Sequence, residues 1–227
     1  PMQHRFAKNG PLLDELGILR EPGWDTSLSL RYDRRAIRSN PLRIKEWDYY
    51  LITNGRFALA LTIADNSYMG LDSVSLLDFE SRWEHTASPM RLLPMGRTKL
   101  PSDSGSGDIL VSGGQKGRRY QLLFENDGTR RRLTFHMDRF LDQKPIDGSV
   151  TLLPPSDASI VVATPFPGAP RAFYYNQKIN CLRAQGDVAF DGKSYRFDPE
   201  DSFGTLDWGR GVWPYRNTWY WSLLSTQ

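Results

Sequence analysis

Cysteine is almost absent. Cys181 stands alone among 227 residues, which excludes an internal disulfide framework and reads as a half-buried structural thiol. Long apolar runs are missing too: nothing approaches the roughly eighteen residues that a membrane-spanning helix needs. The opening residues lack the apolar centre of a signal peptide, so the expectation is a cytoplasmic protein without a membrane span. Neither sign of charge dominates, since 29 Lys and Arg face 26 Asp and Glu for a net +3. Acids and bases alternate along most of the chain, which argues against a nucleic-acid binder, whose cations gather on one face. The densest basic run, Arg130-Arg131-Arg132, follows a turn signal and reads as a solvated strand start. His4, His85 and His136 lie far apart with no ligand-spaced neighbour, so no metal site is expected. There is no P-loop, nucleophile elbow or dinucleotide-binding glycine motif, hence no cofactor is expected. "GSGDILVSGG" lacks the Lys-Ser/Thr that grips phosphate and reads as loop.

Helical periodicity is scarce as well. "PLLDELGIL" (11–19) could form one short helical turn; beyond it, strand signals recur. "WDYYLITNGRFALALTIAD" places Asn54-Gly55, a strong hairpin signal, between two β-rich runs. Phe57, Leu59, Leu61 and Ile63 alternate with Ala58, Ala60 and Thr62, a pattern of large and small residues that suits a barrel wall. Asp127-Gly128 repeats the hairpin device, while Asp147-Gly148 and Asp191-Gly192 punctuate later strands. Residues 94–117, rich in Gly, Ser and Pro, read as one long loop. The expected fold is all-β with little helix: an antiparallel barrel or a strongly bent sheet pair. An N-terminal extension (1–24) precedes one β domain (25–227).

What is abundant is aromatic surface. "GTLDWGRGVWPYRNTWYWS" (204–222) holds four tryptophans and two tyrosines, with Asp207 and Arg210 among them. Read as a strand, it aligns Trp213, Tyr215, Asn217, Trp219 and Trp221 on one face. Gly209 and Gly211 flank Arg210 and suggest a bend or bulge that re-aims Asp207 and Arg210. Two readings stay open. The tryptophans fill the interior and Asp207–Arg210 is an ion pair, or the segment is the wall of a binding site. "FYYNQKIN" is the second cluster, with Tyr174, Asn176 and Lys178 on one face and Tyr175 on the other. Burying such a polar row is costly unless its groups are paired or contact a ligand.

These two stretches, "FYYNQKINCLRAQGDV" and "YRFDPEDSFGTLDWGRGVWPYRNTWYWS", resemble the mainly bacterial family called domain of unknown function 2804. The likeness extends over essentially the whole chain, "PLLDELG" included. That family is similar, more distantly, to lipocalin-like (calycin) proteins that include carotenoid hydratases, tocopherol cyclases and fungal pericyclases, which carry two β-barrel-like domains. The resemblance implies a lipocalin-like barrel and an apolar ligand, and it implies a second β domain after the Trp-rich strand, where this sequence stops, so that the sequence is either a fragment or has lost that half. Self-association, or a partner that completes the fold, is therefore expected.

The resulting expectation is a small apolar or aromatic molecule bound in a Trp/Tyr-lined cavity. Tyr174, Tyr175, Asn176, Lys178, Trp208, Trp213, Tyr215, Trp219 and Trp221 are the candidate contacts. The alternative is a cofactor-independent lyase or isomerase in which Asp207 acts as acid or base beside Arg210.

Overall fold

The computed structural model describes residues 4–7, 9–153, 159–218 and 220. The described residues form sixteen strands, of which the first eight in chain order are β1 (Gly10–Pro11), β2 (Gly23–Asp25), β3 (Leu30–Arg31), β4 (Ile44–Thr53), β5 (Phe57–Asp65), β6 (Met69–Asp78), β7 (Trp83–Ala87) and β8 (Met90–Leu92). There follow β9 (Ile109–Gly113), β10 (Tyr120–Asn126), β11 (Arg131–Leu141), β12 (Lys144–Leu153), β13 (Ile160–Phe166), β14 (Ala169–Phe190), β15 (Lys193–Phe197) and β16 (Phe203–Val212). Among the described residues helix is confined to two single 3-10 turns, Arg34–Ala36 and Pro41–Arg43. Among the described residues no helix is long and apolar enough to cross a membrane.

Fourteen strands form one antiparallel sheet, ordered β7-β6-β5-β4-β16-β14-β12-β11-β10-β9 along its main path. β14 is its spine. One edge of β14 pairs with β12 and then β13, the other with β15 and then β16. Cys181, at φ 58°, sits where the β14–β16 register shifts, so the strand bulges there and bends. The sheet curls until its far strands meet through side chains. Tyr120 on β10 donates to Asp72 on β6 at 3.0 Å, and Trp83 on β7 stacks on Phe190 at the end of β14. No backbone ladder joins the two ends among the described residues, so the form is a strongly bent open sheet rather than a closed barrel.

Period-two alternation decides what faces inward. Leu59, Leu61 and Ile63 of β5 are fully buried in one core that also holds Ile52, Leu122, Leu133, Val150 and Leu206. Leu12, Leu13 and Leu19 from the first 24 residues belong to the same core. "PLLDELGIL" forms no helical turn. The Asp14 carboxylate accepts from the backbone N–H of Leu16 and Ile18, and Gly17 takes φ 77°, closing a tight reversal instead.

Local turn chemistry holds at three of four positions. Gly55, Gly128 and Gly192 all adopt positive φ between paired strands. Asp147-Gly148 lies instead inside β12, opposite His136 and Phe135. There the missing Cβ makes room for the Phe135 ring, which a methyl would meet at 2.5 Å. Three further expectations fail for tertiary reasons. "GSGDILVSGG" contains β9, paired with β10. Arg131 is buried and donates to the Ser104 carbonyl at 2.7 Å, so the basic run is not a solvated start. Cys181 is exposed, because the bulge turns it outward.

Candidate functional site

β4, β16 and β14 run side by side in the middle of the sheet, with an unbroken β4–β16 register from Ile44–Val212 to Thr53–Phe203. No bulge re-aims Asp207 and Arg210. Alternation instead sends them to opposite faces, so the Asp207–Arg210 ion pair of the first of the two readings does not form.

On the inner face Arg210 is fully buried. It pairs with Asp48 of β4 at 2.9 Å and donates to the carbonyls of Trp47 at 2.7 Å and Pro101 at 2.9 Å. Its guanidinium also lies 4.2 Å above the Trp208 ring. Burial raises the Asp48 carboxyl above the ordinary range, and the Arg210 and Arg131 charges act against that rise. Trp208 packs edge-on to Tyr32 and Tyr175, whose hydroxyl donates to the Leu30 carbonyl at 2.7 Å. Residues 99–104 lie across this interior like a strap. Leu100 enters the core, Pro101 and Ser104 offer carbonyls to Arg210 and Arg131, and the Ser104 hydroxyl bonds the Gln177 side chain.

The outer face holds a different constellation. Asp207, only 6% exposed, accepts from Asn176 Nδ2 at 2.6 Å, from Trp47 Nε1 at 3.2 Å and from Lys178 Nζ. Trp47 stacks on Tyr174 at a centroid distance of 6.1 Å, and Trp213 stands edge-on to both. Lys45 Nζ lies 5.4 Å from the centroid of the Trp213 ring, and burial lowers its pKa. Burial, then the Asp207 charge, raises the Tyr174 and Tyr49 hydroxyls. Gly209 makes the arrangement sterically feasible: a Cβ there would lie 2.1 Å from the Trp47 indole.

The sheet therefore splits the sequence-derived set. Tyr174, Asn176, Lys178, Asp207 and Trp213 come together outside; Tyr175, Trp208 and Arg210 belong to the interior. β16 ends at Val212, so the expected strand through Trp213 and Tyr215 does not exist. Trp213 N–H bonds the Arg43 carbonyl, and Pro214 has no N–H to offer a ladder. Tyr215 is 86% exposed, beside Arg43. Trp219 and Trp221 lie outside the described residues. Trp47 and Asp48 were missed. The available signal was the alternation of "KEWDYYLI", which puts Trp47 and Tyr49 on one face and Asp48 on the other.

The geometry defines an all-β protein built on one strongly bent antiparallel sheet, with a carboxylate anchored among aromatic rings on its outer face. The chain belongs to the family of domain of unknown function 2804, whose model matches residues 3–227. Among solved structures, a protein provisionally assigned as AttH from Nitrosomonas europaea is similar, with 13% identity and a TM-score of 0.49 over 82% of this chain. Kievitone hydratase from Nectria haematococca is similar with 15% identity and a TM-score of 0.42 over 74%. The chain spans 57% and 47% of those two proteins. No curated protein matches it.

Proposed function

We propose that the chain binds a small, flat, largely apolar or aromatic molecule on the outer face of β4, β16 and β14. One observation carries this reading: a nearly buried carboxylate, held by three donors among the described residues and ringed by Trp47, Tyr174 and Trp213, on the face of the sheet opposite the core. Rings that supply apolar contact and a few convergent polar atoms are the usual composition of a small-molecule site. In this reading the rings take the ligand's apolar surface and Asp207 takes a hydrogen-bond donor.

Titration with isoprenoid and polyketide-like compounds should quench or shift tryptophan emission, and mass spectrometry of the native protein should reveal any retained ligand. Silence across the panel, or an undiminished response in Trp47→Ala, removes this reading.

A second reading, a cofactor-independent lyase or isomerase, is favoured by the contact between Lys178 Nζ and Asp207. It sets a proton acceptor beside a proton donor at the aromatic surface. Arg210 takes no part, since it lies on the other face. Asp207→Asn distinguishes the two: catalysis requires turnover to vanish with the fold intact, whereas a carrier keeps binding.

A further inference from the structure

The hairpin corner around β8 combines two features that neither the core nor the aromatic site uses. The first is protruding apolar surface. Met90 and Leu92 are 69% and 85% exposed, and Tyr68, Leu93 and Met95 beside them are also exposed. They are contiguous, since Leu92 pairs with Met69 and the Leu93 and Met95 N–H groups bond the Tyr68 and Ser67 carbonyls.

The corner is also held in a costly shape. Leu93, Met95 and Lys99 all take φ near +50°, which side-chain-bearing residues adopt only when surrounding contacts impose it. Those contacts are present. The Asp65 carboxylate receives the Gly96 N–H at 2.8 Å and the Thr98 hydroxyl at 2.9 Å, and the Arg97 guanidinium folds back onto the Leu93 carbonyl. The apolar tips are thus presented rigidly.

The second feature is a cationic cleft of about 420 Å³ that adjoins them, lined by Arg31, Arg34, Arg35 and Lys99 together with Asp33 and Glu46. Gly96 rests directly on the Arg34 guanidinium, and Arg34 donates to Ser67 at 2.9 Å, which joins the cleft to the apolar corner. Both acids are already engaged, Glu46 by Arg34 and Asp33 by Arg35. Arg31 and Lys99 remain without an ion-pair partner among the described residues. The cleft therefore offers uncompensated positive charge beside exposed leucine and methionine.

We infer that this corner docks the protein onto an anionic lipid surface. Met90, Leu92, Leu93 and Met95 enter the boundary between headgroups and acyl chains, while Arg31 and Lys99 meet lipid phosphates. Protruding rather than recessed apolar side chains suit insertion into a soft surface, and flanking cations supply the attraction to anionic headgroups. Such docking is peripheral and requires no membrane-spanning segment.

Flotation of the whole chain with vesicles tests the inference. Binding to phosphatidylcholine mixed with phosphatidylglycerol should greatly exceed binding to phosphatidylcholine alone, and should fall as salt rises. Arg31→Gln with Lys99→Asn should weaken it about fivefold per cation removed. Met90→Ser with Leu92→Ser should weaken it about tenfold or more. All four positions are at the surface, so neither double variant should lower the urea midpoint. The inference falls if vesicles are not bound, if neutral vesicles bind equally well, or if both double variants bind like the parent. It falls too if inorganic phosphate stabilises the fold while vesicles are ignored, or if Leu92→Ser abolishes a self-association that already covers this corner.

Discussion

At the scale of single residues, the sheet's centre is set by which side chains cross β16. Gly209 is there because Trp47 lies over it, and Gly209→Ala should cost about 1–3 kcal/mol through overpacking. In a Trp47→Ala background that cost should vanish, a non-additivity that urea titration of the four proteins measures directly. Equal losses in both backgrounds would mean the indole is not what excludes the Cβ. Arg210 makes a different prediction. Replacing it with Met strands the buried Asp48 carboxylate, with a loss of about 3–5 kcal/mol at neutral pH. Burial already raises Asp48 above its unfolded value, and losing Arg210 raises it further. A carboxyl with a raised folded pKa binds its proton more tightly in the folded state, so its stabilising contribution is present in acid and lost as pH rises. The difference between Arg210→Met and parent should therefore shrink from pH 8 toward about pH 4.5. A constant or widening gap overturns this account of Asp48.

At the scale of elements, β14 organises the molecule. Its 22 residues pair with four strands, and its bulge at Cys181 permits the change of direction. Cys181→Val should destabilise by about 1–2 kcal/mol, because a β-branched residue resists the left-handed region, whereas Cys181→Gly should be neutral or stabilising. Thermal unfolding checks both, and the reverse ranking would deny the bulge its role. Much of this level was legible in the sequence. Asn54-Gly55, Asp127-Gly128 and Asp191-Gly192 specify their turns locally, and the alternation in "FALALTI" and "FYYNQKIN" fixes which residues share a face. The bulge is not legible, since nothing near Cys181 marks it. The segment after Val212 was misread because alternating aromatics imitate a strand even where the chain leaves the sheet. The pairing of Trp47 with Asp207 spans 160 positions, so no local pattern could have announced it. Asp207 and Arg210, three residues apart, were separated by the very period-two rule that had placed their neighbours.

At the scale of the whole molecule, a single bent sheet has a stable middle and weaker margins. β14, β16 and β4 have paired neighbours on both edges, whereas β8 has three residues and β7 and β9 end the main path. Native-state hydrogen exchange should therefore be slowest in β4, β14 and β16 and fastest in β7, β8 and β9. Uniform protection would indicate that the sheet opens only as one unit. The strap over the inner face has a consequence for cargo. Pro101 and Ser104 are the acceptors that satisfy two buried guanidinium groups, those of Arg210 and Arg131. A hydrocarbon that displaced the strap would leave both cations dry and unanswered, a penalty its own burial could hardly offset. Only a guest bearing acceptors of its own could take the strap's place over the two guanidinium groups.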